Sequence, residues 1–308
     1  MMRRVVLAGV IAVVVLATSC VPQESQPFTV RTKVELPAAC PPGGGPAVPP
    51  TTIVANNRGS RLIAPAGYRP GVKYPLVITL HGFVVGAQLW EMVTQMGQTA
   101  ADHGYWALVP QGSDPGPRWA IPGGLQYPTD DIGWIDALVQ QTAATVCVNR
   151  HRIFAVGHSA GGAMAVGLSC ELPWRFRAIM SVSGANLTTP CPDAAPTDAL
   201  IMHGTADTFA PPTGQTLPFL PPVGLTLDQA IASFATRNRC ALGPVATAVT
   251  PTVTRTTYSC GGHRLEFWSI AGGGHSWSGS ALSFDAITGP TDSSISATKV
   301  ALDFFDAS

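Results

Sequence analysis

The sequence predicts an α/β fold, a mostly parallel sheet with helices on both faces, and three observations carry that prediction. Short apolar runs alternate with longer stretches of helical character along most of the chain, the order that builds parallel strands with crossover helices. One such run, Arg152-Ile153-Phe154-Ala155-Val156, stops at the turn Gly157-His158-Ser159-Ala160-Gly161, and small and apolar residues suited to a packed helix follow at once. With 308 residues and 46% hydrophobic content, there is ample material for one sizeable core.

Taken in order, strands are expected near Thr52–Asn56, Arg61–Ile63, Leu76–Leu80, Trp106–Val109, Ile153–Val156, Ala178–Val182, Ala199–His203 and Leu265–Ile270. The last belongs to Arg264-Leu265-Glu266-Phe267-Trp268-Ser269-Ile270, which alternates as a half-buried strand does. Helices are expected near Trp90–His103, Asp130–Val146, Ala160–Cys170, Leu227–Asn238 and Ser296–Phe305, with Asp130 or Thr129 capping the second. No internal repeat is present. The Thr208–Thr226 segment carries Pro211, Pro212, Pro218, Pro221 and Pro222, too many prolines for a regular element. It reads equally as a rigid surface loop and as the wall of a pocket.

A Gly-x-Ser-x-Gly turn between strand and helix is a nucleophile elbow, in which a strained serine stands clear of the sheet edge. So tight a turn leaves no room for side chains at Gly157 and Gly161. A serine-containing turn could arise by chance in a chain with 32 glycines, and the flanking strand and helix are what raise Ser159 above that. A serine hydroxyl needs a histidine to take its proton and a carboxylate to hold that histidine, and on this architecture the order is Ser, acid, His. Among Asp193, Asp198, Asp207 and Asp228, only Asp207 follows a strand directly, through Gly204-Thr205-Ala206. Asp193 and Asp198 precede that strand, and Asp228 reads as a helix-terminal charge. His275, in Gly272-Gly273-Gly274-His275-Ser276-Trp277 just past the final strand, is the expected base. His103, His151 and His263 read as solvated surface residues, and His203 as a hydrogen-bonded structural histidine. His158 is the variable position of the elbow.

Two backbone N–H groups should face the oxyanion of the tetrahedral intermediate. One is that of Ala160, and the other that of Phe83, in the loop His81-Gly82-Phe83 that ends the Tyr74-to-Leu80 strand. The rival reading of His81-Gly82 is a simple strand-ending turn. Trp119 and Trp277 are expected to line the substrate pocket, with Phe83 and Phe209 beside them, whereas Trp134 at a helix start fits the core equally well. Arg118 alone among basic residues follows such a strand closely, so a neutral acyl group is the better fit.

The set Leu80-His81-Gly82, Val109-Pro110-Gln111-Gly112, Asp130-Asp131-Ile132-Gly133-Trp134, Gly157-His158-Ser159-Ala160-Gly161-Gly162, His203-Gly204-Thr205-Ala206-Asp207 and Gly273-Gly274-His275-Ser276-Trp277 resembles the secreted polyhydroxyalkanoate-depolymerase and feruloyl-esterase-like family of α/β-hydrolases. It looks most like the actinobacterial lipoprotein esterases of that family, from about Thr52 to Asp303. The resemblance implies Ser159 as nucleophile, Asp207 as acid and His275 as base, in agreement with the residue-level reading. Proline commonly follows the motif's tryptophan in that family, where this chain has Ser278.

A formal charge of +0 leaves no electrostatic footprint for nucleic acid. Arg3 and Arg4 precede the apolar run Val5 to Ala17, which suits a signal peptide over residues 1–19. Leu16-Ala17-Thr18-Ser19-Cys20 resembles a lipobox, making Cys20 a candidate lipidation site, with ordinary secretion or a retained anchor as rivals. Residues 20–50 read as a Pro/Gly-rich tether and 51–308 as the catalytic domain. Cys40, Cys147, Cys170, Cys191, Cys240 and Cys260 are an even set in a chain bound for an oxidising space. Six cysteines allow 15 pairings, which arithmetic cannot choose between. Loop geometry favours Cys170 with Cys191 and Cys240 with Cys260, leaving Cys40 with Cys147 by elimination. A metal site is disfavoured because no Cys-x-x-Cys pair exists.

The sequence thus leads to an exported serine esterase acting on short-chain, hydroxyalkanoate or phenolic esters, small or polymeric, with no metal and no cofactor. Its only contact with a membrane would be an N-terminal lipid, and its oligomeric state is open. The alternatives are a serine peptidase of the same fold and a non-catalytic, polymer-binding surface lipoprotein.

Overall fold

The computed structural model describes residues 28–38, 40–113, 116–124, 128–189, 191–214 and 225–308. In chain order the elements are β1 (Thr52–Ala55), β2 (Arg58–Ile63), β3 (Tyr74–Leu80), α1 (Ala87–Thr94), α2 (Met96–Asp102), β4 (Trp106–Pro110), α3 (Asp131–Thr145), β5 (Val148–His158), α4 (Ala160–Glu171), β6 (Ala178–Val182), β7 (Asp198–Gly204), α5 (Leu227–Arg237), β8 (Val245–Ala248), β9 (Val253–Cys260), β10 (His263–Ile270), α6 (Asp285–Thr288) and α7 (Ala297–Asp306). The strands join one sheet in the order β1-β2-β4-β3-β5-β6-β7-β10-β9-β8. Its centre, from β4 to β10, is parallel, and antiparallel hairpins extend it at both edges.

The central strands are buried on both faces, and their two-residue period splits the core in two. Leu76, Ile78, Leu80, Ile153, Ala155, Ile179, Ala199 and Ile201 point to one side, where they meet α3, α4 and α5 through residues such as Ile135, Leu168 and Phe234. Val77, Phe154, Val156, Met180, Leu200 and Met202 point to the other, against Trp90 of α1, Met96 of α2 and Phe305 of α7. Helices therefore cover both faces, as the sequence predicts. The cap of α3 is Asp130, whose carboxylate accepts from the Gly133 N–H.

Two elements differ from expectation. The single helix expected over Trp90–His103 is broken at Gln95, which has φ 52°. The Thr94 hydroxyl turns back to the Trp90 carbonyl at 3.0 Å, and the Glu91 carboxylate accepts from the N–H groups of Gly97 and Gln98 at 2.9 and 2.7 Å. A side chain of α1 thus caps α2. The hairpin β8–β9 was not expected at all: β8 is exposed along its whole length and β9 is buried only at its two ends, so no alternating buried face is imprinted on the sequence. Its Thr- and Val-rich composition was the one available strand signal. His151 also lies within β5 rather than in a connection.

The tether expected over residues 20–50 is, from Phe28 onward, a strap docked on the domain. Leu36 is 5% exposed. Arg31 donates to Asp130 at 2.7 Å and to Glu171 at 2.7 Å, tying the strap to the start of α3 and the end of α4. Arg175 donates to the Val34 carbonyl. A free linker makes no such contacts. The segment expected to be a signal peptide, Cys20 and the larger part of the proline-rich loop, residues 215–224, lie outside the described residues. Disulfides join Cys40 to Cys147, Cys170 to Cys191 and Cys240 to Cys260. The first locks the strap onto the start of β5, and the last links the end of α5 to β9. Among the described residues no helix is long and apolar enough to cross a membrane.

Candidate active site

Strand β5 runs up the middle of the sheet and delivers Ser159 at its carboxyl edge. Ser159 has φ 55° and ψ −124°, a conformation that L-residues adopt only under constraint. The constraint is close backbone approach: a Cβ on Gly157 would stand 2.3 Å from the Gly161 carbonyl oxygen. Ser159 N–H is held by the Val182 carbonyl of β6 at 2.9 Å, and its own carbonyl accepts from Ala163 in the first turn of α4.

Asp207 and His275 come from the loops that follow the neighbouring strands β7 and β10. The His275 Nδ1 lies 2.8 Å from Asp207 Oδ2. The other carboxylate oxygen accepts from the N–H groups of Phe209 and Ala210 at 2.9 and 2.8 Å. Burial, the largest single influence on Asp207, would raise its pKa. The hydrogen bond and positive charge offered by His275, with the Ala210 N–H, outweigh it and hold the carboxyl well below the usual carboxylate range. Asp207 is therefore an anion aimed at one imidazole nitrogen. The His275 backbone is fixed by its N–H to Thr288 O bond of 2.6 Å. His275 also reaches the elbow, because its ring centroid is 4.6 Å from that of His158, the residue before Ser159.

The loop after β3 lies against the serine, for a Cβ on Gly82 would stand 3.5 Å from Ser159 Cβ. His81 governs this loop. Gly112 N–H donates to His81 Nε2 at 2.9 Å, so that nitrogen is the acceptor and Nδ1 carries the proton, which it gives to the Gly82 carbonyl at 2.7 Å. In a trans peptide the carbonyl and the following N–H point in opposite directions. Anchoring the Gly82 oxygen on His81 therefore turns the Phe83 N–H away from that ring. The loop over residues 111–120 that supplies Gly112 is itself tied to the buried carboxylate of Asp131. That group accepts from Arg58 at 2.6 Å, Ser113 at 3.1 Å and the Ala120 N–H at 2.8 Å. Pro117 of the same loop accepts from the Val84 N–H at 2.8 Å.

Ser159, Asp207, His275, Ala160 and Phe83 are thus brought to one edge of the sheet. Trp119 and Trp277, expected to line a pocket, are not at its surface. Trp119 is 0% exposed with its indole N–H on the His81 carbonyl, and Trp277 is 2% exposed with its N–H on the Thr298 hydroxyl. A large amphipathic ring whose one donor finds a partner inside is better buried than wet. Trp134 is a core residue, with the Arg58 guanidinium 3.5 Å over its ring. Among the described residues, the exposed aromatics beside the site are Phe83 and Phe209, 41% and 40% exposed. Phe209 stacks on His275 at a centroid distance of 5.3 Å.

Of the remaining histidines, His203 is structural as expected, its Nε2 2.7 Å from the Ala210 carbonyl. His263 is not a purely solvated residue: it is half-buried and lies 3.1 Å from Asp198 at the far end of β7. Asp198 indeed lies at the wrong edge for catalysis. The hydrogen bonds of His81 and the ring contact of His158 with His275 were not foreseen. The placing of His81 directly after a buried strand and of His158 directly before the serine was the available signal. No group of His, Cys, Asp and Glu that could hold a metal ion occurs among the described residues.

A model of the Esterase family, with the description "Putative esterase", matches residues 52–286. The chain is similar to feruloyl esterase C of Emericella nidulans, 29% identical over 228 residues that cover 71% of this chain and 76% of that protein. It is likewise 29% identical to "Putative esterase NocK" of Nocardia uniformis subsp. tsuyamanensis, over 75% of this chain and 73% of that one. Among solved structures, acetyl xylan esterase from Aspergillus awamori superposes with a TM-score of 0.59 over 82% of this chain and 95% of its own. At 14% identity, that likeness is one of fold.

The buried histidines give the fold a pH dependence. Burial is the leading cause that pushes His81, His158 and His203 below the ordinary histidine range. Below about pH 6.5 the unfolded chain therefore binds protons that the native state does not, so stability is full above that pH and falls as pH drops through the window. Urea unfolding of the disulfide-intact protein should lose at most about 1.4 kcal/mol per pH unit per histidine there. His203→Gln should flatten the slope by about one histidine's share; an unchanged slope would show that His203 is not held neutral.

Proposed function

The chain belongs to the esterase family and is a carboxylic-ester hydrolase, and from that premise we propose that it is a serine enzyme with Ser159, Asp207 and His275 as its catalytic triad. The observation that carries this reading is the 2.8 Å contact between Asp207 and His275, with the His275 ring beside the elbow that holds Ser159.

In this reading Ser159 Oγ adds to the ester carbonyl carbon while His275 Nε2 takes the hydroxyl proton. The carbonyl oxygen becomes an oxyanion held by the Ala160 and Phe83 N–H groups. As the intermediate collapses, the C–O bond to the alcohol breaks, and His275 returns its proton to the departing oxygen. Water then repeats the sequence on the acyl-enzyme, giving the free acid and Ser159. Asp207, anionic throughout, keeps His275 in the tautomer whose Nε2 is an acceptor and stabilises the imidazolium.

We further propose neutral, short-chain or phenolic acyl esters as substrates. In support, the exposed side chains beside the site include the aromatic rings of Phe83 and Phe209, and the relative Feruloyl esterase C is named for a phenolic acyl group. The polymer-borne or free state of the ester belongs to this proposal as well. Three disulfides favour an oxidising, extracytoplasmic setting. The domain is proposed to follow a signal peptide over residues 1–19, and lipidation of Cys20 would leave only a short span before the docked strap at Phe28.

Three outcomes test these readings. Ser159→Ala or His275→Ala should lower kcat on p-nitrophenyl acetate by about 10⁴-fold or more with circular dichroism unchanged, and Asp207→Asn by about 10⁴-fold. A His275 variant within tenfold of the parent contradicts the assignment. Across p-nitrophenyl esters and methyl ferulate, kcat/KM should peak on short or phenolic acyl groups and fall beyond roughly eight carbons, since each methylene must find apolar surface worth about 0.8 kcal/mol. Efficiency that climbs to the palmitoyl ester would reveal a long-chain groove instead. Mass spectrometry of the exported protein should find a diacylglyceryl-modified Cys20 at the N-terminus, and an unmodified start elsewhere refutes lipidation.

A further inference from the structure

The triad reading leaves one conspicuous side chain at the site unused. His158 is the last residue of β5 and the neighbour of Ser159. Its ring lies 4.6 Å from that of His275 and is stacked on that of Trp90 at 5.6 Å with an interplanar angle of 12°. Trp90 in turn meets Trp277 edge-on at 5.0 Å. Trp277 is pinned through Thr298 to the Thr94 carbonyl at the end of α1. With Phe209 on His275, a continuous series of five rings runs from the exposed edge of the site into the core, and the base is its second member.

An imidazole held only at Nδ1 can still swing about that hydrogen bond, and His275 has its one side-chain bond there, to Asp207. Ring contacts restrict the swing. The His158 ring is placed to supply such a contact, and its Nε2 is buried with no hydrogen-bond partner among the described residues. Resting on the triad reading above, we infer that His158 is a positioning residue, whose ring, seated on Trp90, sets the plane of His275 relative to Ser159 by ring contact. Burial, first, and then the nearby His275 keep His158 neutral, so it places no second charge beside the imidazolium formed in turnover.

Shape-based support makes a specific claim: an apolar ring of similar size should substitute. On p-nitrophenyl acetate, His158→Ala should lower kcat by about 10- to 100-fold, the scale of a small misplacement of a catalytic group. KM should stay within about threefold, because the ring does not touch substrate. His158→Phe should recover most of that loss, and the downfield Nδ1–H proton resonance of His275 should be sharp in the Phe variant and broadened in the Ala variant. His158→Ala within twofold of the parent overturns the inference, as does a folded His158→Phe that is as slow as His158→Ala. Should the Ala variant not fold, Trp90→Phe, which weakens the seat of His158, replaces it; an unaltered kcat there is equally contradictory. His275→Ala run alongside separates the two readings. If it retains activity the triad reading fails, and if it alone is inactive only the role of His158 fails.

Discussion

The site depends on how closely backbones approach one another around Ser159. A Cβ on Gly161 would stand 2.2 Å from the Leu80 carbonyl oxygen, and one on Gly184 would stand 2.2 Å from the carbonyl of Ser159 itself. The end of β3, the turn after β5, the start of α4 and the loop after β6 therefore converge without side chains between them. Such packing holds the serine in a conformation that costs on the order of 1–3 kcal/mol. It is offset by the burial of α4, which has no exposed residue along its length. Ser159 is presented by the sheet's core, and the other groups of the proposed site are positioned relative to it.

Around this fixed point the supporting groups act in layers. Asp131 ties β2, α3 and the loop over residues 111–120 together, that loop fixes the tautomer of His81, and His81 orients the Gly82–Phe83 peptide beside Ser159. On the other side, the carboxylate of Asp207 orders the Phe209–Ala210 turn with one oxygen and His275 with the other. One anion thus places His275 and the aromatic ring stacked upon it. The surrounding histidines, buried and neutral, add structure without competing charge.

Much of this was legible in the chain. The central strands are buried on both faces and announce themselves as apolar runs, and β6 falls where Ala178 to Val182 predicts it. The elbow was legible because its geometry demands glycine at fixed offsets, and Asp207 and His275 because each follows a strand end by a short loop. Three features were not. In the β8–β9 hairpin, β8 is wholly exposed and β9 is buried only at its ends, so no alternating pattern is imprinted. The break at Gln95 depends on the Glu91 side chain reaching forward to α2, an interaction that periodicity does not register. The burial of Trp119 and Trp277 is decided by which partner their indole N–H groups find, His81 and Thr298, and both lie far off in sequence. Likewise, the Pro/Gly composition before residue 50 suggests a linker, while Arg31 and Leu36 bind that segment to the domain.

The central claim, that Ser159 is a nucleophile activated by its surroundings, is tested most directly by covalent labelling. Incubation with a fluorophosphonate, followed by intact mass and peptide mapping, should give a single stoichiometric adduct on Ser159, formed much more slowly once His275 is replaced by alanine. An adduct on another residue, or no adduct on the folded parent protein, would contradict it.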